Sequence, residues 1–265
     1  MGCGVKKSGN LTISSWVGKF PVLVIAHRGF SGSAPENTLT AFKRAIEVRS
    51  DMIELDVRLS KEGEVVVIHD DTLDRTTDGR GKVAHHTLKE LQQLDAGSWF
   101  GSQFSGEKIP ILQEVLKLSR RRILVNIELK KGHLGWSKIS DLADRALNEV
   151  ERAGMLNQVL FSSFDPSALE RIYQKNPRVW LALLYNKTFE APQEVILGRP
   201  FSFLNCRKTV LTQINILRAH REGFKVMVYT LNTEDEMERF LHLEVDGIIT
   251  DYPDRLIGLL KKRYS

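Results

Sequence analysis

The 265-residue chain contains only two cysteines, Cys3 and Cys206, which lie far apart in sequence. Their number and spacing exclude a disulfide framework and a cysteine-based zinc site, so we expect two reduced thiols. No apolar run approaches the roughly 20 residues that a membrane-spanning helix needs. Residues 1–20 also lack the continuous apolar centre of a secretory signal. The sequence therefore predicts a cytoplasmic protein with no stable membrane association.

The chain carries little excess charge of either sign, with 38 basic and 33 acidic residues and a net charge of +5. The basic clusters at 119–122 and 261–263 are short and are not interleaved with aromatic residues. We therefore expect no nucleic-acid partner, because nucleic-acid surfaces are usually more strongly basic. The weak positive field favours an anionic small molecule. Oligomeric state is not indicated.

Strand-like apolar runs alternate with helical patterns over most of the chain, which predicts an α/β fold. An extra run at 64–69 is predicted to be a hairpin partner or an extension of the second strand. Eight strands interleaved with helices fit a (β/α)8 TIM barrel, and a doubly wound sheet is the alternative, because the pattern does not show closure. The eight runs are 22–26, 52–57, 122–129, 158–164, 179–185, 201–205, 225–231 and 246–250. Helices are predicted at 38–47, 137–152, 166–174, 208–221, 233–242 and from about 253 onward.

Two segments stand apart from the barrel pattern. Residues 1–20 are interpreted as a leader that precedes a barrel domain spanning 21–265. Residues 70–110 show no clear strand–helix unit, so we interpret them as a small insertion after the second strand. Trp99, Phe100 and Phe104 in this insertion are predicted to form its core, with a membrane-contacting mouth as the alternative.

Acidic residues interrupt two of the apolar runs. Side chains alternate across a strand, so Glu54 and Asp56 face one side while their apolar neighbours face the other. Glu128 lies on one face of its run together with Asn126 and Lys130. Three carboxylates that converge at the mouth of a barrel would repel one another unless a hard divalent cation such as Mg²⁺ or Ca²⁺ bound them. The alternative interpretation is that each acid is paired with an arginine or a lysine.

Two histidines end strand-like runs at the same predicted end of the barrel, His27 after 22–26 and His69 after 64–68. A pair of imidazoles beside a carboxylate cluster is a candidate for acid–base catalysis, because imidazole titrates near neutral pH. Arg28 follows His27 and has the planar fork that suits a phosphate oxygen. An ion pair between Arg28 and Glu36 is the structural alternative for this side chain.

Six segments between residue 21 and the C-terminus form a recognisable set: "AHRGFSGSAPENTLTAF" (26–42), "DMIELDVRLSKEGEVVVIHDDTLDRTTDGRGKV" (51–83), "NIELK" (126–130), "SSFDP" (162–166), "YTLN" (229–232) and "DGIITDYP" (246–253). On these segments the sequence resembles the glycerophosphodiester phosphodiesterase family. The first two are long and specific, and the others corroborate them. The resemblance implies a TIM barrel with an inserted subdomain and one divalent metal ion.

The resemblance also implies roles for single residues. Glu54, Asp56 and Glu128 would bind the metal, and His27 and His69 would be the catalytic pair. Arg28 and Lys130 would hold the phosphate, Glu36 would orient Arg28, and Asn37 would approach the phosphate or the metal. Tyr229 stands where many relatives have tryptophan and would form a wall of the pocket, with Ser163 and Phe164 near its rim.

The implied reaction is hydrolysis of a glycerophosphodiester to sn-glycerol 3-phosphate and an alcohol. The nucleophile is either water or the 2-hydroxyl of the substrate, and the assignment of acid and base between the two histidines stays open. Three alternatives predict different behaviour. An enzyme with phospholipase D-like action would release choline from lysophospholipids, a non-catalytic barrel would bind without turnover, and a barrel with purely structural ion pairs would show no metal dependence.

Overall fold

The computed structural model describes residues 11–16, 21–131, 136–186 and 200–264. Cys3 and most of the predicted leader lie outside these ranges. No helix in them is long and apolar enough to cross a membrane.

Eight parallel strands close into a barrel, as the sequence predicts. The first strand pairs with both the second and the last barrel strand, which closes the sheet and excludes the doubly wound alternative. The run at 64–69 contributes a short strand that pairs antiparallel with the end of the second strand, which confirms the predicted hairpin. The strands are β1 (Leu23–Ala26), β2 (Met52–Leu59), β3 (Val65–Val67), β4 (Leu124–Leu129), β5 (Val159–Ser163), β6 (Trp180–Tyr185), β7 (Phe203–Arg207), β8 (Lys225–Tyr229) and β9 (Gly247–Thr250).

Helices follow most of the strands and cover the outside of the barrel. Several begin at a threonine or aspartate whose side chain accepts a backbone N–H bond of the first turn, which satisfies a donor that the helix itself leaves free. These capping residues are Thr38, Thr87, Asp165, Thr212 and Thr233. The described helices are α1 (Ile13–Trp16), α2 (Leu39–Glu47), α3 (Leu88–Leu91), α4 (Leu112–Ser119), α5 (Trp136–Arg152), α6 (Pro166–Lys175), α7 (Gln213–Arg221), α8 (Glu234–His242) and α9 (Pro253–Tyr264).

Alternation along the strands separates an outer apolar layer from the barrel interior. Ile53, Leu55 and Val57 of β2 belong to the large buried cluster between the sheet and the helices. A second cluster fills the lower interior, and most of its members stand at or near the N-terminal ends of strands. The upper interior, toward the C-terminal ends, therefore remains for polar side chains.

The segment between β3 and α4 has a small apolar core of its own, which includes Leu73, Val83 and Leu91. Phe104 is buried against Ala34 and Ala41 beside the barrel. Trp99 packs edge-to-face on Phe100. Phe100 packs against the same group as Phe104, and Trp99 is 40% exposed, so the prediction that the three aromatic residues form the core of the insertion is wrong.

Ile13 and Cys206 are both buried. Ile13, within the predicted leader, is buried in the cluster that fills the lower interior of the barrel. Cys206 in β7 is a free, buried thiol, and burial raises its pKa to about 12. Cys206 is therefore a packing residue at neutral pH.

Candidate active site

Three buried carboxylates form a cluster at the C-terminal ends of two adjacent strands. Parallel pairing places Asp56 of β2 directly opposite Glu128 of β4, and Glu54 lies two residues earlier on the same face of β2. One oxygen of each acid lies within 4.8 Å of the others. This spacing fits oxygen ligands around one hard cation, whose bonds to oxygen are about 2.0–2.6 Å long.

Neighbouring cations offset part of the charge of this cluster. The Lys130 Nζ donates to Glu128 Oε1 at 2.7 Å and lies 3.4 Å from Asp56 Oδ1, while Arg28 Nε lies 3.4 Å from Asp56 Oδ2. Glu54 accepts a bond from the backbone N–H of Arg28, and within the described part of the chain no side-chain cation pairs with it. Ion pairing therefore accounts for two of the three acids and leaves Glu54 without a cationic partner among the described residues.

The electrostatics of the carboxylates agree with a site built for added positive charge. Burial, together with the charge of Asp56, raises the pKa of Glu54 to about 8. Burial and the same neighbour also raise the pKa of Glu128. Although burial acts in the opposite direction, Lys130 and Arg28 hold the pKa of Asp56 well below its usual range. A divalent cation would favour the ionised form of all three groups.

His27 stands at the end of β1 and is held by a carboxylate. Its Nδ1 lies 2.6 Å from Asp251 Oδ1, and Asp251 in turn accepts bonds from the side chains of Asn232 and Ser31 at 2.6 and 3.0 Å. Burial lowers the pKa of His27, but the Asp251 bond and the charge of Glu54 outweigh it and raise the pKa overall. With Nδ1 engaged, Nε2 is the ring nitrogen left for substrate.

His69 has the same arrangement on the other side of the pocket. Its Nδ1 lies 2.6 Å from Asp70 Oδ1, and Arg75 donates to Asp70 through Nε at 2.7 Å. Burial lowers the pKa of His69 more than the neighbouring Asp56 raises it. Each imidazole therefore has its own orienting carboxylate, but the pKa is raised for His27 and lowered for His69.

A network of side chains fixes the guanidinium beside the acids. Glu36 accepts bonds from Arg28 at 2.7 Å and from Arg75 at 2.7 and 2.8 Å. Asn37 donates to Asp56 Oδ2 at 2.9 Å. Arg28 and Asn37 have left-handed backbone conformations, with φ values of 54° and 59°, which are uncommon outside glycine. The loops at residues 27–29 and 35–37 thus adopt conformations that direct their side chains toward the acidic cluster.

These residues open onto one pocket of about 240 Å³ at the mouth of the barrel. Tyr229 and Phe164 form part of its wall, with ring centroids 6.5 Å apart in an edge-to-face contact. Ser162 also lines the pocket, whereas Ser163 points away and donates to the Leu129 carbonyl. The expectation that Ser163 lies near the rim is therefore wrong, and Ser162 is the serine of β5 that faces the pocket, because side chains alternate along the strand.

The structure brings the predicted site residues together and adds others. His27, Arg28, Glu54, His69, Glu128, Lys130 and Tyr229 line the pocket. Asp56, Glu36 and Asn37 contact members of that group. Sequence reasoning missed Asp70, Arg75 and Asp251 as partners of site residues. The position of Asp251 directly after β9 was a usable signal, because polar residues at strand C-termini face the same barrel mouth.

Comparison with known proteins agrees with this geometry. The family profile of the glycerophosphoryl diester phosphodiesterase family matches residues 27–255. A glycerophosphodiester phosphodiesterase from Caldanaerobacter subterraneus is 40% identical over 247 residues, which cover 91% of this chain and 98% of that protein. The family match over residues 27–255 contains every site residue described above.

Solved structures show the same fold. A phosphodiesterase from Oleispira antarctica, in complex with its product sn-glycerol-3-phosphate, superposes with a TM-score of 0.86 and 31% identity, covering 90% of this chain and 96% of that one. A glycerophosphodiester phosphodiesterase from Agrobacterium tumefaciens gives a TM-score of 0.77 and 31% identity, with coverage of 89% and 99%.

Fold and site together define a TIM-barrel enzyme with an acidic cluster at the C-terminal end of its strands. The chain belongs to the glycerophosphoryl diester phosphodiesterase family. Relatives that are named as phosphodiesterases favour an enzyme over the alternative of a non-catalytic binding barrel.

Proposed function

We propose that the protein hydrolyses glycerophosphodiesters to sn-glycerol 3-phosphate and an alcohol, with one Mg²⁺ or Ca²⁺ ion held by Glu54, Asp56 and Glu128. The observation that carries this proposal is the cluster of three buried carboxylates, of which only two are offset by side-chain cations. Two carboxylate-held imidazoles line or flank the same pocket. The complex of the Oleispira enzyme with sn-glycerol-3-phosphate supports the same product here.

The phosphate end of the substrate meets positive charge from the protein itself. Arg28 is fixed by Glu36 and Asp56, and Lys130 by Glu128 and Asp56, so both cations are oriented before substrate arrives. Such preorganised charges stabilise the negative charge that develops on phosphate oxygens in the transition state. A divalent ion, when bound, would add Lewis-acid polarisation of a non-bridging phosphate oxygen.

The two histidines supply proton transfer. Asp251 and Asp70 each hold the Nδ1 side of an imidazole, which leaves Nε2 of His27 and His69 as the atoms that exchange protons with substrate. One imidazole accepts the proton of the nucleophile and the other donates a proton to the departing alkoxide. The nucleophile is water, or the 2-hydroxyl of the substrate, in which case a cyclic phosphate forms and is hydrolysed in a second step.

The first experiment measures sn-glycerol 3-phosphate released from glycerophosphocholine. We expect no release in EDTA and restored release when Mg²⁺ or Ca²⁺ is added in excess. Release that is equal in EDTA and in metal would overturn the metal assignment. If no sn-glycerol 3-phosphate is released under any condition but choline is released from lysophosphatidylcholine, the phospholipase D-like alternative is favoured.

Two variants separate metal binding from acid–base chemistry. His69→Ala should reduce turnover by at least 100-fold and leave the affinity for Mg²⁺ or Ca²⁺ within about threefold. Glu54→Gln should lose metal affinity by at least about 10-fold as well as activity, because a neutral amide replaces an ionised ligand. Calorimetric titration of each purified variant with the metal alone gives the affinities. Wild-type turnover in His69→Ala would contradict its role, and unchanged affinity in Glu54→Gln would contradict the ligand set.

The cytoplasmic location and the choice between Mg²⁺ and Ca²⁺ stay predictions.

A further inference from the structure

At the inner end of the acidic cluster, three neutral polar side chains form the bottom of the pocket. Asn126, Ser162 and Asn205 are 1%, 0% and 0% exposed. Neither amide atom of either asparagine has a hydrogen-bond partner within the described protein, and the same holds for Ser162 Oγ. All three residues line the 240 Å³ pocket together with Glu54 and Glu128. We call these three residues the amide floor.

Unpaired polar atoms at this depth point to a partner in the pocket. Buried amides and hydroxyls are nearly always hydrogen-bonded in folded proteins, since leaving them unpaired costs their full desolvation. Five such atoms occur together here, and apolar side chains of matching size would have filled the same space. The amide floor therefore requires either ordered water or polar groups of a ligand.

Strand register places Ser162 and Asn205 level with Glu54, the innermost of the three acids. Asn126 pairs with Glu54, and Ser162 pairs with Glu128. With the shear of about 8 that this fold shows, inward side chains of alternate strands form layers. Continuing the register through β5, β6 and β7 puts Ser162 and Asn205 in the layer of Glu54. The lower interior beneath is apolar.

The chemistry of the amide floor selects a neutral ligand group. Each asparagine offers two N–H donors and a carbonyl acceptor, and serine offers one donor and one acceptor, with no net charge. Arg28 and Lys130 carry the positive charge that matches phosphate, whereas the three floor residues carry none. Hydroxyl groups, which donate and accept at once, match this set best.

We propose that the amide floor binds the hydroxyl groups of the polyol portion of the substrate and thereby selects polyol phosphates over hydroxyl-free ones. This inference rests on the proposed function, since it assumes that the phosphate lies at the charged mouth. The floor residues take no part in proton transfer. They determine which polyol portion of the substrate can occupy the inner half of the pocket.

The test compares two phosphate monoesters that share a three-carbon chain, sn-glycerol 3-phosphate and n-propyl phosphate. Their inhibition constants are measured against glycerophosphocholine turnover with metal present. The wild type should bind the glycerol ester at least about 10-fold more tightly than the propyl ester. Each hydroxyl that forms a hydrogen bond with an otherwise unpaired floor atom should increase the affinity by up to about one order of magnitude. Ser162→Ala and Asn205→Leu should each reduce this preference about 3- to 10-fold and leave propyl phosphate within twofold.

Ser119→Ala is the matched control. Ser119 is also 0% exposed with an unpartnered hydroxyl, but it lies on α4 and does not line the pocket. This variant should leave both inhibition constants unchanged. Asn205→Leu could fail to fold, and Ser162→Ala then carries the test, because it removes a single oxygen atom.

The outcomes separate this inference from the proposed function. If Ser162→Ala and Asn205→Leu keep both the turnover and the ester preference of the wild type, the proposed role of the amide floor is overturned. The floor atoms would then bind ordered water alone. Equal wild-type affinity for the two esters would also overturn it. Failure of the wild type to hydrolyse any glycerophosphodiester with metal present would instead overturn the proposed function.

Discussion

At the scale of single residues, the site depends on groups that orient other groups. Each candidate catalytic imidazole has a carboxylate 2.6 Å from its Nδ1. Asp251 is itself held by Asn232 and Ser31, so the ring of His27 is fixed through two further side chains. Such supporting contacts determine ring orientation and tautomer, and their loss reduces activity although they touch no substrate.

Asp251→Asn should act as a positioning defect. Asparagine keeps the size of the side chain but removes the charge that raises the pKa of His27. We expect kcat to fall about 10- to 100-fold with KM within about twofold. We also expect the kinetic pKa assigned to His27 to move downward in the pH profile of kcat/KM. Asp254→Asn, an exposed aspartate three residues further on, is the control and should match wild type. A pH profile with no shift would argue against the role of Asp251.

At the scale of secondary-structure elements, one helix carries an unfavourably placed charge. Glu149 of α5 faces a groove toward α4, and its buried Oε2 has no hydrogen-bond partner among the described residues. Lys117, Arg120 and Arg152 line the same groove. Burial and the nearby charge of Glu64 raise the pKa of Glu149 to about 7, although Arg152 acts to lower it. The ionised form is therefore less favourable in the folded chain than in the unfolded chain.

Glu149→Gln should stabilise the protein more at pH 8 than at pH 5. An unfolded glutamate loses its proton near 4.5 and the folded one near 7, so wild-type stability falls as the pH rises through this interval. Allowing for partial solvent access, the gain at pH 8 should exceed that at pH 5 by about 1–2 kcal/mol in urea unfolding. Glu238→Gln on α8 is exposed and should show no such difference. Equal effects of Glu149→Gln at both pH values would contradict the assignment.

At the scale of the whole molecule, the two ends of the barrel have different tasks. The C-terminal end holds the charged residues and the pocket, while the lower interior is filled by apolar side chains. Ile13 from the N-terminal helix joins that apolar cluster, together with the first residues of several strands, including Leu23, Met52 and Leu124. This segment therefore closes the end opposite the active site.

Ile13→Ala should lower stability without changing catalysis. Ile13 is 2% exposed, and truncating a buried isoleucine costs about 2–5 kcal/mol. Denaturant unfolding should show a loss at the lower end of that range, because the site lies at the margin of the core, and kcat should remain within about twofold. Ile214→Ala, at a side chain that is 62% exposed, is the matched control. A stability equal to wild type would show that α1 does not close the barrel.

The sequence predicted the fold well because its signals were local. Alternation placed Glu54 and Asp56 inward, and strand-terminal positions marked His27 and His69. The prediction omitted α4, although Leu112, Val115 and Leu116 are spaced as one helical face. Partners from distant segments could not be read at all, since only the closed barrel brings Asp251 beside His27. Ser162 was missed because a shift of one residue in a strand exchanges the inner and outer faces.

The pairing of β2 with β4 has a consequence for folding as well as for catalysis. Glu54 and Asp56 reach Glu128 only when the two strands are aligned as Asp56 opposite Glu128. A slip of one residue would turn Glu128 outward, into the layer beneath the helices, and leave two of the three proposed ligands in the pocket. A compact, helical but misaligned barrel would thus bind a divalent ion poorly. Because a ligand stabilises the state that binds it, a bound ion would favour the correctly aligned barrel over the misaligned one.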